Sequence, residues 1–354
     1  MNLITDKYYN SNRNGTADLL KGLAVLLMIQ VHITELFIRP DLYNSLYGKI
    51  SLFLGGPPAA PLFMLVMGFF LAGSKRGFTA TLKRGGLLII GGLLLNLGLN
   101  ANLLYKIYSG KLLVNQFEYI FGVDILFLAG LSVISVVVIK KIFNDNIYFI
   151  VTLLIITVVI HPYLPQTDHN VLKYINAYFY GDYTWGYFPF LPWFGYVLSG
   201  YLFHLLTNKW SVFDAGKSNY IIIALSIGLL LTFGFALDVS SNLEVYYHHE
   251  ILFFIWTVLF LIVISYLFNR LEKKYGDNKA VILVKFLGQN VTLAYVFQWL
   301  IIGNIATEVF KTFSFIEGIL SFFGVTLLTY LLIYLYRWTE QNYFNTKGKS
   351  FSIK

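Results

Sequence analysis

Apolar stretches recur from near the start of the chain to near its end, each closed by a charged cluster or by Gly, Pro and Asn. A hydrocarbon core about 30 Å thick takes about 20 residues of helix to cross. On that measure the windows near 17–38, 59–74, 85–104, 117–139, 146–162, 186–206, 219–237, 251–268, 282–304 and 316–337 predict ten membrane-spanning helices. The second and fifth are short. The second also follows Gly-Gly-Pro-Pro-Ala-Ala-Pro at 55–61, so residues 50–61 are expected to form a broken or re-entrant segment rather than a plain loop. The longest polar interludes, near 163–185 and 238–250, are too short to bury a core of their own. The expectation is a single all-α, polytopic membrane domain over residues 1–354.

Composition strengthens this reading and charge orients it. Of the 354 residues 57% are hydrophobic and 12% charged, whereas about a quarter are charged in a soluble domain. The formal charge of +8 comes from unevenly placed Lys and Arg: with the N-terminus taken as cytoplasmic, 19 fall in inner segments and 6 in outer ones. Both termini are therefore expected to be cytoplasmic. The two long polar interludes then face outward, as a recognition surface or as an interfacial aromatic belt. The first window carries charges and has no small-residue cleavage site, which makes it a retained helix rather than a signal peptide. Zero cysteines exclude disulfides, Cys-ligated metal and a thiol nucleophile. No His-x-x-x-His, paired-carboxylate, dinucleotide or phosphate-loop pattern is present either, so no metal is expected.

Four ionisable residues interrupt the first window, ADLLKGLAVLLMIQVHITELF at 17–37: Asp18, Lys21, His32 and Glu35. Such groups cost about 2.5–3.5 kcal/mol each at bilayer depth and mark functional sites by default. Asp18 and Lys21 lie three apart in the first turns, where they can pair and Lys can snorkel, so a structural ion pair explains them equally well. His32 is eleven residues beyond Lys21, about 16 Å along the axis and within about 20° of the same direction. One face thus carries both, with Glu35 a turn further on and within reach of the imidazole. An imidazole oriented by a carboxylate is equipped as a general base or a nucleophile. The plain alternative is a histidine bonded to a neighbouring helix.

Other polar groups gather at similar depth. Asn96 and Asn100 close the third window, Asp124 lies in the fourth, and Asn290 and Gln298 occupy the ninth. Amides in a span act as interhelical glue or as ligands. Asp124 is a second candidate to orient His32, and Asn290 a candidate oxyanion donor. The link SKRGFTATLKRGG (74–86) carries Lys75, Arg76, Lys83 and Arg84, a set suited to gripping phosphates or simply the basic residues that an inner loop collects. His248 and His249 are adjacent, hence poor chelators, but stand where a substrate would enter from outside.

Together these residues resemble a family. RNGTADLLKGLAVLLMIQVH (13–32) resembles the opening of polytopic membrane acyltransferases, with Arg13, Asp18, Lys21, Gly22 and, fourteen residues after the Asp, His32. APLFMLVMGFFLAGSKR (60–76) and YFPFLPWFGYVLSGYLF (187–203) are similar to the heparan-α-glucosaminide N-acetyltransferase-like branch; FGVDILFLAGLS (121–132) and LGQNVTLAYVFQWLII (287–302) resemble further segments. The resemblance implies acyl transfer across the membrane. Acetyl-CoA would be the donor, bound from the cytoplasm, and an amine or hydroxyl of a sugar or glycan the acceptor at the outer face, a glucosamine amine foremost. Lys21 and His32 match the family's basic-x10-His element. Arg76, Lys83 and Arg84 correspond loosely to its CoA-phosphate region, and Pro192 and Trp193 to a segment lining the shared pocket. Two departures shift the chemistry onto His32: residues 33–60 contain no His, and Gln298 stands where many relatives have one.

His32 is accordingly expected to deprotonate the acceptor or to carry the acyl group, with Glu35 or Asp124 orienting it. Lys21, Arg76, Lys83 and Arg84 would hold the donor; Asn96, Asn100, Trp193, His248, Asn290 and Gln298 would meet the acceptor. A secondary transporter or flippase for a sugar or lipid-linked intermediate, using the same stripe as a proton relay, is the alternative from another class. It leaves the basic link without a use. Expected partners are acetyl-CoA, a sugar or glycan and the bilayer, with a homodimer left open and no nucleic acid. The prevalence of Ile, Phe, Tyr, Asn and Lys suits an AT-rich bacterial genome and hence a bacterial cytoplasmic membrane.

Overall fold

The computed structural model describes residues 14–209 and 215–350. Helix α1 (Gly15–Leu36) starts where the Asn14 side chain accepts a hydrogen bond from the Ala17 amide at 3.0 Å, and Asp18 sits in the electropositive first turn. Short helices α2 (Pro40–Tyr43) and α3 (Leu46–Gly55) lead to α4 (Ala60–Ala72) across the Gly-Gly-Pro-Pro break. Then come α5 (Phe78–Leu99), α6 (Ala101–Tyr108), α7 (Gln116–Ile120), α8 (Ile125–Phe143), α9 (Ile147–Val159), α10 (Leu172–Phe179) and α11 (Phe190–Lys209). The remainder are α12 (Ala215–Leu231), α13 (Phe233–Ser241), α14 (Leu243–Tyr247), α15 (Ile251–Tyr275), α16 (Lys279–Gln289), α17 (Val291–Val309) and α18 (Phe315–Ser350).

The protein is an all-α polytopic membrane protein in which every apolar window holds a helix. Ten windows were expected to cross, and length and composition support six to eight of them. Among the described residues six helices or helix runs are long and apolar enough, and the bent pairs α12/α13 (58°) and α16/α17 (84°) raise the total to eight. The two windows outside that total are those of α9 and α11. α9 has 13 residues, about 20 Å of helix, while α4, also of 13, enters the total as part of the run Leu46–Ala72 with α3. The fourth span also begins later than the apolar pattern suggests, because Asp124 caps α8 and fixes its start at Ile125.

Two sets of contacts hold α1 in place. Near its start it meets α16 at backbone distance: a Cβ at Gly22 would lie 1.9 Å from the Val284 carbonyl oxygen, and one at Gly288 would lie 1.8 Å from that of Asp18. Only glycines permit this approach, the usual means of close helix contact in lipid. Near its end, Gln30 donates to the Ser51 carbonyl at 2.9 Å, and the Ser51 hydroxyl lies 2.7 Å from the oxygens of both Gln30 and Thr34. Beyond the helix, Ile38 pairs with Phe313 as an isolated bridge, with Lys311 N–H bonded to the Leu36 carbonyl at 2.9 Å. The rotation of α1, and so the direction of its polar stripe, is fixed at both ends.

Candidate active site

The stripe faces two adjoining cavities. One, of about 260 Å³, is polar at the N-terminal end of the bundle, where Lys21, Ser74 and Arg84 line it, and apolar further in between Phe63, Met64, Met67 and Leu126. The other, of about 30 Å³, is lined by Met28, His32 and Glu35 together with Phe188, Tyr246 and Tyr247. Met28, Ile125 and Tyr295 line both. Lys21, Met28, His32 and Glu35 therefore follow one helical face from the first cavity into the second, as the eleven-residue spacing from Lys21 to His32 requires.

His32 is buried, its ring 4.0 Å from that of Trp299 between centroids, and its Nδ1 has no hydrogen-bond partner. A buried orphan nitrogen on a cavity wall is costly unless a ligand or water satisfies it. The carboxylates expected to orient the imidazole are placed otherwise. Glu35 shares the cavity wall but makes no hydrogen bond to His32 among the described residues. Asp124 accepts from the amides of Leu126 at 2.5 Å and Phe127 at 3.2 Å, and its second oxygen accepts from the Tyr295 hydroxyl at 3.1 Å. Asp124 thus acts on the site through Tyr295, whose ring separates the two cavities. Neither Tyr295 nor Trp299 stands out in the sequence; the signal available was their spacing of four, one face of α17.

The amides expected to meet the acceptor are held by protein partners or lie outside the two cavities. Asn96 donates to the carbonyls of Ile120 (3.2 Å) and Gly122 (2.7 Å), and Asn100 to those of Asn96 (2.9 Å) and Tyr119 (3.3 Å). They shape the loop that delivers Asp124. Asn290 donates to the Phe286 carbonyl at 2.9 Å and accepts from Arg337 Nε at 2.8 Å, which braces the α16/α17 bend. Gln298 is fully buried with both amide atoms unpartnered, next to Trp299 and outside both cavity walls. Of the basic residues, Lys21 pairs with Asp18 at 2.8 Å while lining the cavity of about 260 Å³ beside Arg84. Lys83 and Arg76 are exposed and are not walls of it.

Over the small chamber lies a roof built from 243–249 and 185–188. Trp193 does not line the chamber; its Nε1 donates to the Tyr247 carbonyl at 2.7 Å and so fixes a residue that does. Val123 N–H bonds the Trp185 carbonyl at 2.8 Å and Phe188 N–H bonds the Val123 carbonyl at 3.1 Å, which seats Phe188 beside His32. His249 is fully buried, with Nδ1 2.7 Å from the Tyr246 carbonyl and Nε2 2.8 Å from the Tyr196 hydroxyl. A carbonyl only accepts, so Nδ1 carries the proton and Nε2 accepts from Tyr196. Burial pushes this imidazole down to about 3. His248 lies 3.2 Å from Asp182, outside the chamber; burial lowers its imidazole too, against the pull of that carboxylate.

A family model described as an acyltransferase domain matches residues 14–338. No curated protein and no solved structure matches the chain.

Proposed function

The chain belongs to the acyltransferase-domain family of membrane proteins, and from that premise we propose that it moves an acetyl group from acetyl-CoA to a sugar or glycan on the opposite side of the bilayer. The observation that carries this reading is the continuous stripe on α1. It begins with a cation at one cavity mouth, passes the Tyr295 wall shared by both cavities, and ends at a buried imidazole with an unsatisfied nitrogen. Acetyl-CoA is made inside the cell and the acceptor lies outside. The larger cavity would take the donor, with Lys21 and Arg84 on its phosphates and the apolar walls around its pantetheine arm.

His32 would then work at the thioester. In one route it removes the proton from the acceptor amine or hydroxyl as that group attacks the carbonyl carbon, and the CoA thiolate leaves. In the other its own nitrogen attacks first, releasing the thiolate, and the acceptor takes the acetyl group from the imidazole. Tyr295 gives its one hydroxyl proton to Asp124, so its part would be to position the wall that both cavities share beside the imidazole. The chamber of about 30 Å³ has room for about one water, so a sugar enters only when the roof of 243–249 lifts. Amine acylation of glucosamine, the heparan-α-glucosaminide N-acetyltransferase-like character and a bacterial cytoplasmic membrane with both termini inside belong to this proposal. A secondary transporter would account for the intramembrane charges but not for the family match over 14–338.

The test is mass spectrometry of aminosugar glycans incubated with acetyl-CoA and the purified protein. One acetyl group added per acceptor, stable to mild base, supports N-acetylation; a base-labile product reassigns the chemistry to a hydroxyl. No acetylated product, together with no effect of acetyl-CoA on the melting temperature, refutes the reading.

A further inference from the structure

A third cavity, of about 770 Å³, lies on the other side of α4 from the donor cavity. Its walls are Leu20 of α1, Leu65 and Phe69 of α4, Leu202 and Phe203 of α11, and Leu261 of α15. It touches the donor cavity only at Val66 and Phe70, and none of its walls lines the chamber of His32. The groove is thus set apart from the walls around the imidazole.

The lining is graded along α15. Leu261 and Ile262 are apolar, Ser265 and Tyr266 are intermediate, and Asn269, Arg270 and Lys273 form a polar edge with Asn14 and Thr16. From Leu261 to Arg270 is about 14 Å of helix, close to half of a hydrocarbon core about 30 Å thick. The gradient thus matches one leaflet from its midplane to its phosphate level. At the edge the cations are oriented by neutral partners. The Arg270 Nη2 donates to the Tyr266 hydroxyl at 2.8 Å and to Asn219 Oδ1 at 3.1 Å, and Tyr266 also bonds Asn219. Among the described residues neither Arg270 nor Lys273 pairs with a carboxylate.

We propose that this groove binds an anionic phospholipid, with an acyl chain between α1, α4, α11 and α15 and the phosphate on Arg270 and Lys273. A deep apolar slot alone would accept any lipid. Two cations at headgroup depth, neither paired with a carboxylate among the described residues, select an anionic one, each adding about fivefold to binding. Because α4 forms a wall of both cavities, an occupied groove braces the helix that carries Met64 and Met67 on the donor side.

The experiment is native mass spectrometry of the full chain released from nanodiscs of mixed phosphatidylglycerol and phosphatidylcholine. One phosphatidylglycerol retained per chain, in preference to phosphatidylcholine, is expected. Arg270→Ala with Lys273→Ala should lower retention about 30-fold. The single Lys273→Ala change, at an exposed side chain, should give the fivefold step of about 1 kcal/mol without a folding risk. Leu202→Trp, which fills the slot and leaves the cations intact, should also lose the lipid. Equal retention of the two lipids, or retention unchanged in the double variant, overturns the proposal. So does displacement by excess CoA, which would make the groove a nucleotide site. None of these readouts depends on acyl transfer, so this proposal and the catalytic one fail separately.

Discussion

Lowering the pH from about 7.5 to about 5 should loosen the roof of the His32 chamber through His249. In the folded protein this imidazole is neutral, with Nδ1 donating to the Tyr246 carbonyl and Nε2 accepting from Tyr196, and burial holds it at about 3. In the unfolded chain it titrates near about 6.5. The folded value is the lower one, so the unfolded state takes up the proton first. Stability is complete above about pH 6.5 and falls progressively toward pH 3. At pH 5 the interval is about 1.5 units, or about 2 kcal/mol at about 1.4 kcal/mol per unit, rising toward about 5 kcal/mol near pH 3. His161 and His248, which burial also lowers, push in the same direction, so the wild-type slope alone does not isolate His249. The assay is a pair of urea or thermal unfolding series in detergent, wild type against His249→Gln, across this pH range. The variant should be less stable near neutrality and lose about one proton's worth of slope below pH 6.5. Parallel lines for the two proteins would refute the assignment of a buried neutral His249.

Tyr295→Phe removes the hydroxyl that Asp124 accepts, a bond to a charged group worth about 1.5–3 kcal/mol; transfer should slow by about 10- to 100-fold while the protein still purifies as a folded species by melting temperature. Arg84→Ala should raise the donor Kd about tenfold in a binding titration, and Lys83→Ala, whose side chain is no wall of the donor cavity, should change it by less than about twofold. Gly288→Val forces a side chain to within 1.8 Å of the Asp18 carbonyl and should cost more than about 3 kcal/mol, read as loss of monodisperse protein in detergent. Gly228→Ala, with nothing within 4 Å of the new methyl, should be neutral in the same assay.

What could be read from the chain was what helical geometry alone determines. The spacing of Lys21, His32 and Glu35 places them on one face of any α-helix, and the structure uses that face to line two cavities in series. The identities of the partners could not be read this way. Tyr295 and Trp299 reach His32 only because α17 turns by 84° at Asn290, a tertiary feature with no local signature, and a tyrosine or tryptophan in a span reads first as an interfacial residue. The partners of Asn96 and Asn100 were hidden too, because their acceptors are backbone carbonyls of 96, 119, 120 and 122, which carry no mark in the sequence. Asp124 looked like an intramembrane acid because its capping role depends on where α8 begins. Helix length is likewise hidden in an apolar window: the one at α9 holds a helix of 13 residues, and the one at α4 reaches spanning length only with α3.

The central claim is that the His32 imidazole handles the acyl group while Lys21 and Arg84 hold the donor. Its most direct test is transfer from labelled acetyl-CoA by wild type and His32→Ala, with the donor Kd measured on the same samples. The account predicts that transfer falls by at least about 100-fold while the donor Kd stays within about twofold. A His32→Ala protein that binds donor and still transfers at a rate near wild type would contradict it.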